Sequence, residues 1–195
     1  MILIGLTGGM ASGKSTVAKY IKENGIPVFD ADACSHELTG KGGAAIDKII
    51  ETFGNDFVID GVMNRKKMAE LVFHNEKERE KLEKILLALI WENAEKFIQK
   101  NKNFPAVAID APLLIEKNWH KKVDEVWLVY IPVAEQIRRV MLRDGMTEEH
   151  ARARLATQMT TDEKRKFANV IIDNSGKLEE TLKIVDKEIA RVCKK

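Results

Sequence analysis

Gly8-Gly9-Met10-Ala11-Ser12-Gly13-Lys14-Ser15 decides the reading of this chain. The eight residues fit G-x-x-x-x-G-K-[ST], a loop that wraps the phosphates of a nucleotide. The apolar run Ile2-Leu3-Ile4-Gly5-Leu6 before it reads as a short buried strand, and Thr16-Val17-Ala18-Lys19-Tyr20-Ile21-Lys22 after it reads as a helix. Strand, glycine loop and helix start together form a concave nest of backbone N–H groups, and the positive end of the helix dipole points into it. Gly8 and Gly13 allow backbone angles and a close approach that a Cβ would block. Lys14 is expected to reach the β- and γ-phosphates, and the Ser15 hydroxyl to ligate Mg²⁺. Given everyday glycine and lysine frequencies, chance matches fall roughly below one per hundred chains of this length.

The chain has 195 residues, which fits one domain, or one domain with insertions. Apolar residues make up 45%, enough for a globular core, and 32 basic against 30 acidic residues give a net charge of +2. That near balance argues against a dedicated nucleic-acid binder, which shows a strong basic excess. Cys34 and Cys193 lie far apart without metal-ligand spacing and read as free thiols of a reducing compartment. No apolar run approaches the roughly 18 residues of a membrane span. The N-terminal apolar stretch lacks a basic region and leads straight into the glycine loop, so it reads as a core strand rather than a signal peptide. A cytoplasmic protein without membrane or nucleic-acid partners is expected, monomeric in the simplest case with an oligomer left open.

Strand signals fall at Ile2–Leu6, Pro27–Phe29, Ala106–Ile109, Glu125–Ile131 and Val170–Ile172, nearly all of them apolar throughout. Strands buried on both faces have this composition, and their alternation with helices predicts a parallel sheet. The predicted fold is α/β: a five-stranded parallel P-loop NTPase core with helices on both faces. About 75 residues separate the second and third strand signals, far more than a simple crossover needs. A helical insertion is therefore expected over residues 44–103, with helices at Ala44–Phe53, Arg65–His74 and Glu76–Lys100. Leu82, Ile85, Leu86, Leu89, Ile90, Phe97 and Ile98 supply an apolar stripe on the last of these. A smaller arginine-rich insertion, residues 133–158, would hold Val133–Arg143, a turn at Asp144-Gly145 and Thr147–Gln158. Residues 1–43, 104–132 and 159–195 would form the core.

Open α/β sheets bind ligands beyond the carboxyl ends of their strands. That rule selects the glycine loop, Asp30-Ala31-Asp32, Asp110-Ala111-Pro112, the arginine-rich insertion and Asp173-Asn174-Ser175-Gly176. Asp30 and Asp32, two apart on an extended segment, would point the same way. They could serve Mg²⁺ or an acceptor hydroxyl, or could cap the next helix. Asp110 ends an apolar strand, where it could hold Mg²⁺ indirectly or act structurally. Gln136, Arg139 and Arg143 share one helix face, and Arg154 and Gln158 another. These faces are either solvated or form a lid whose arginines neutralise a transferring phosphoryl group. The four histidines make no metal pattern.

Taken in order, these segments resemble one family over nearly the whole length, the dephospho-CoA kinases. The resemblance rests on Thr7-Gly8-Gly9 with Ser12-Gly13-Lys14-Ser15-Thr16, on Val28-Phe29-Asp30-Ala31-Asp32, and on Phe53-Gly54, Asp60-Gly61, Arg65 and Val72-Phe73. It continues through Pro112-Leu113-Leu114-Ile115-Glu116, Gln136-x-x-Arg139-x-x-x-Arg143-Asp144, Arg154-x-x-x-Gln158 and Ile172-Asp173-Asn174-Ser175-Gly176. The chain departs from the family pattern at Ala11, where Gly is usual. It departs also at His36, where Arg is frequent, at Leu87-Ala88, where a His-Pro pair stands, and at Asn169, where Asp is more usual. The resemblance implies ATP-dependent phosphorylation of the ribose 3′-hydroxyl of dephospho-CoA, giving coenzyme A and ADP. It implies a nucleotide site at Gly8, Gly9, Ala11, Ser12, Gly13, Lys14, Ser15 and Thr16, with Asn174 near the adenine. Asp32 would be the base or orienting carboxylate, Arg139 and Arg143 the lid arginines, and the 60–100 region the acceptor cover.

Three other readings compete, of which a nucleic-acid motor driven by a nucleoside triphosphate is opposed by the near-neutral charge and small size. A regulatory GTPase needs an Asn/Thr-Lys-x-Asp guanine motif, which this sequence lacks. Another small-molecule kinase, acting on a nucleotide or sugar acid, would have less use for so long a helical insertion.

Overall fold

A computed structural model describes residues 1–194. Five strands, β1 (Ile2–Gly8), β2 (Val28–Asp30), β5 (Ala106–Asp110), β6 (Glu125–Tyr130) and β7 (Val170–Asp173), form one parallel sheet in the order β2-β5-β1-β6-β7. The helices are α1 (Lys14–Glu23), α2 (Ala31–Leu38), α3 (Ile46–Phe53), α4 (Arg65–His74), α5 (Glu76–Lys100), α6 (Val133–Asp144), α7 (Glu148–Leu155), α8 (Thr161–Arg165) and α9 (Leu178–Cys193). The chain divides into two compact units, Met1–Phe29 with the segment from Asn101 onward, and Asp30–Lys100.

In the first unit β1 is central, with β5 on one side and β6 on the other, both parallel to it. The alternation of its side chains sends Ile4 and Leu6 to one face. There they meet Val17 and Ile21 of α1, Trp127 and Val129 of β6, Ile172 of β7 and Val185 of α9 in one buried cluster. Gly5 faces the other way against Leu114 and Val123, and a Cβ there would come within 2.6 Å of the Leu114 side chain. A parallel sheet covered on both faces explains why these strands carry almost no polar residues.

The second unit is helical, with α2, α3 and α4 packed on the long α5. Only Leu89, Ile90 and Ala94 of α5 are fully buried, while Leu82, Ile85, Leu86, Phe97 and Ile98 are half-buried. The unit also contains two strands that the sequence reading lacked. β3 (Val58–Ile59) and β4 (Val62–Met63) form an antiparallel hairpin. Asp60 and Gly61 turn it with φ of 51° and 77°, the two positive angles that make Asp-Gly a favoured hairpin turn.

Trp127 is fully buried in the first unit's core, and its indole donates to Glu125 at 3.1 Å. Trp127→Ala should therefore remove about 3–5 kcal/mol of stability, read from urea unfolding midpoints at unchanged slope. A loss below about 1 kcal/mol would contradict this packing.

Candidate active site

The first unit gathers its polar groups at the carboxyl ends of its strands. β1 runs out at Gly8, and the loop from Gly9 to Gly13 turns the chain into α1. Its shape is fixed by close approach. A Cβ on Gly8 would sit 2.5 Å from Ser12 Oγ and 3.0 Å from the Val129 carbonyl oxygen. Gly13 has φ 87°, and a Cβ there would fall 2.2 Å from Asn174 Nδ2. Ala11 has φ 57°, a left-handed angle that glycine adopts at lower cost. That accounts physically for the glycine usual in the resembled family. Here the alanine packs beside the small apolar cluster of Ile137, Val140 and Ala151.

Two side-chain amides hold the loop from outside. Asn174 Nδ2 donates to the Ser12 carbonyl at 2.7 Å, and Asn174 Oδ1 accepts from Thr181 Oγ1 at 3.0 Å. Gln136 Nε2 donates to the Met10 carbonyl at 3.2 Å. Both amides are buried. Gln136 thus belongs to the loop's support and not to an exposed arginine face. Asn174 is committed through its side chain to the loop and to α9.

Helix α1 has no side-chain cap and no acidic residue in its first turn, which leaves its amino end suited to a polyanion. Ser15 and Thr16 are exposed there. Lys14 pairs with Asp110 at the end of β5, in an ion pair with both side chains largely buried. The aspartate that the sequence left between metal and structural roles thus has a defined partner. A cradle that a Cβ would fill and an uncapped helix start whose first residues are Lys14 and the exposed Ser15 fit a nucleoside triphosphate with its Mg²⁺. Gly8, Gly9, Ala11, Ser12, Gly13, Lys14, Ser15 and Thr16 could hold the phosphates there, and Ser15 could meet the cation.

The arginines stand on the α6–α7 hairpin, each already paired. Arg139 Nε donates to Glu135 at 2.7 Å, and its Nη2 to the Asn174 carbonyl at 2.9 Å. Arg143 grips Asp144 with two bonds of 2.8 and 2.9 Å, and Arg154 reaches the same carboxylate at 2.8 Å. Asp144 is held below the usual carboxylate range, mainly by Arg143. Arg138 and then Arg139 pull Glu135 down to about 2. The expected helix Thr147–Gln158 is shorter, ending at Leu155, and a further helix, α8, opens on a Thr160–Glu163 capping box.

In the second unit Asp30 and Asp32 differ from their expected geometry. Asp30 ends β2 in an extended conformation, but beyond it the segment turns: helix α2 starts at Ala31, and Asp30 takes the capping role the sequence left open, accepting from the Ala33 N–H at 2.9 Å. Asp32 therefore sits in the first helical turn and is exposed. Aspartate's preference for that cap position decided the local backbone.

Sequence reading missed one group altogether. Lys164 of α8 is fully buried, with Nζ donating to the Pro112 carbonyl at 2.5 Å and to Glu116 at 3.0 Å. Burial pulls its ammonium below the ordinary lysine range, Glu116 opposes that, and Lys14 adds to it. The family resemblance marks Pro112-Leu113-Leu114-Ile115-Glu116 as a motif, but no local pattern identifies the lysine that answers it from a distant helix.

A model of the family described as dephospho-CoA kinase matches residues 2–180. A dephospho-CoA kinase of Shouchella clausii is 39% identical over 193 residues, covering 97% of this chain and 98% of its own. A solved Thermus thermophilus protein superposes with a TM-score of 0.84 at 32% identity, covering 97% of each chain. The solved dephospho-CoA kinase of Campylobacter jejuni gives a TM-score of 0.71 at 27% identity, covering 98% of this chain and 97% of its own.

A depressed carboxylate stabilises the fold above its ordinary titration range, and that contribution disappears as pH falls through the folded value. The Glu135 carboxyl carbon, followed by NMR, should titrate near 2 and move upward in Arg138→Gln. A midpoint near the ordinary glutamate value of about 4.3 would show that Glu135 does not hold the two guanidinium groups.

Proposed function

This chain belongs to the dephospho-CoA kinase family, a family of kinases that phosphorylate dephospho-CoA with ATP in the final step of coenzyme A biosynthesis; from that premise we propose how its residues share the reaction. The observation that carries the reading is the loop Gly8–Ser15, held by Asn174 and Gln136, with Lys14 paired to Asp110 at the end of the neighbouring strand. It binds the triphosphate through main-chain N–H groups, and Lys14 neutralises charge on the β- and γ-phosphates. Asp110 keeps the Lys14 side chain over the loop. Ser15 would hold Mg²⁺, which when bound would supply charge neutralisation on the phosphate oxygens.

Asp32 accepts or orients the proton of the ribose 3′-hydroxyl. Its support is chemical: an exposed carboxylate in the first turn of α2, at the position the family resemblance assigns to that role. As the hydroxyl oxygen bonds to the γ-phosphorus, the bond to the β,γ-bridging oxygen breaks and ADP leaves. Arg139 and Arg143 neutralise the transferring group, and α6–α7 acts as the lid that carries them. Asn174 places the 173–176 loop on the nucleotide's adenine side through its bond to Ser12. The 44–103 segment covers the acceptor, and residues 133–158 form the lid. No helix among the described residues is long and apolar enough to cross a membrane. We place the enzyme in the cytoplasm as a monomer, with no nucleic-acid partner.

Lys14→Ala and Asp32→Asn should each lower turnover at least about 100-fold with the melting midpoint nearly unchanged, because positioned proton transfer and phosphate charge each supply factors of about this size. The assay follows mass gain on dephospho-CoA with ATP and Mg²⁺. Native turnover in Asp32→Asn would remove that carboxylate from the mechanism. No 3′-phosphorylated product from the native chain, beside an active control enzyme, would sink the acceptor assignment.

A further inference from the structure

The motif Pro112-Leu113-Leu114-Ile115-Glu116 has no part in the steps above, and neither has Lys164. The structure joins them. The Pro112 carbonyl accepts from Lys164 Nζ and also from Thr7 Oγ1 at 3.0 Å, next to the first glycine of the loop. Glu116 Oε1 accepts from Lys164 at 3.0 Å and from the Met159 N–H at 3.2 Å, just beyond α7. Thr161 Oγ1 completes the anchor by donating to the Ile131 carbonyl at 3.0 Å. One buried ammonium thus ties together the end of β1, the turn after Asp110 and the return of the arginine-bearing hairpin.

Stability alone does not explain this arrangement. A fully buried lysine gives up its hydration, and an ion pair there is often no better than well-packed apolar residues. Among the described residues Glu116 Oε2 is moreover buried without a hydrogen-bond partner, an arrangement that opposes folding. The nearby positive charge of Lys14 works against the Lys164 ammonium as well. The groups held in place are those that flank Lys14 and Asp110 on one side and the hairpin on the other.

We propose that Lys164 and Glu116 are positioning residues for phosphoryl transfer: their buried pair fixes the Pro112 turn and the Met159 end of the arginine hairpin, so that Lys14 and the lid arginines meet the transferring group in register. Neither residue touches the substrates. The inference rests on the phosphoryl-transfer reading above and deepens it.

The test compares native protein with Lys164→Met, Glu116→Gln and the apolar pair Lys164→Met/Glu116→Leu, measuring melting midpoint, kcat and both KM values. Lys164→Met leaves an unpaired buried carboxylate and should melt lower, with kcat down at least tenfold. In the apolar pair the midpoint should recover towards native while kcat stays at least tenfold low and KM for ATP stays within threefold. Glu116→Gln retains an oxygen for the Met159 N–H but not the ion pair. It should show the same kcat loss with KM unchanged, and it decides the matter if the double variant fails to fold. Recovery of kcat together with the midpoint in the apolar pair, or kcat within twofold of native in Glu116→Gln, would overturn the proposal and leave the pair as a purely structural contact. Failure of the native chain itself to phosphorylate dephospho-CoA would instead overturn the reading on which the proposal rests, and the proposal with it.

Discussion

The carbonyls of Met10 and Ser12 are each claimed from outside the glycine loop by a buried side-chain amide, from Gln136 and Asn174 respectively. With these two carbonyls held, and the Gly9 carbonyl taken by the Ser12 N–H at 3.1 Å, the loop keeps a concave shape in which main-chain N–H groups suit a polyanion. The constraint runs both ways. The loop needs Gly8 and Gly13 because Ser12, Val129 and Asn174 come too close for a Cβ. Asn174 in turn sits where it does because β7 ends at Asp173 and Thr181 of α9 fixes its oxygen. The phosphate cradle is therefore a product of the whole sheet edge, not of eight residues alone.

What could be read from the sequence follows from how local each determinant is. The five core strands announce themselves because a strand buried on both faces leaves no place for polar residues, and each observed strand overlaps its predicted span. Helices α4 and α5 run over the predicted residues, since long periodic segments carry their own signal. The loop was legible because its chemistry requires specific residues in fixed order. Short elements were not. The β3–β4 hairpin offers two residues per strand, too few for any period to register, and only its Asp60-Gly61 turn could have betrayed it. Asp30 and Asp32 admit both an extended and a helix-capping reading from sequence, and the cap that Asp30 provides starts a helix at the next residue.

The supporting shell was the least legible part. Gln136 falls at helical spacing with Arg139 and Arg143, and spacing alone cannot tell a buried amide from a solvated one. Lys164 lies amid Asp162, Glu163, Arg165 and Lys166, a run whose ordinary meaning is an exposed helix. Its burial depends on a carbonyl and a carboxylate some 50 residues away in sequence, and a long-range pairing of that kind has no local signature.

The cations of the first unit then sort by how freely they can be exchanged. Arg143 and Arg154 share Asp144 at the surface, where such pairs contribute at most about 1 kcal/mol, so phosphate oxygens can replace the carboxylate at little cost. Arg139 is intermediate, tethered by Glu135 and by the Asn174 carbonyl, and so is ordered by the same residue that buttresses the loop. Lys164 cannot be exchanged at all, because withdrawing either partner strands a charge in the interior. In the proposed mechanism the exchangeable arginines would follow the phosphoryl group, and the fixed lysine would supply the frame against which it is aligned. The gradient from exposed arginine to buried lysine, set by burial alone, divides those tasks among side chains of the same sign.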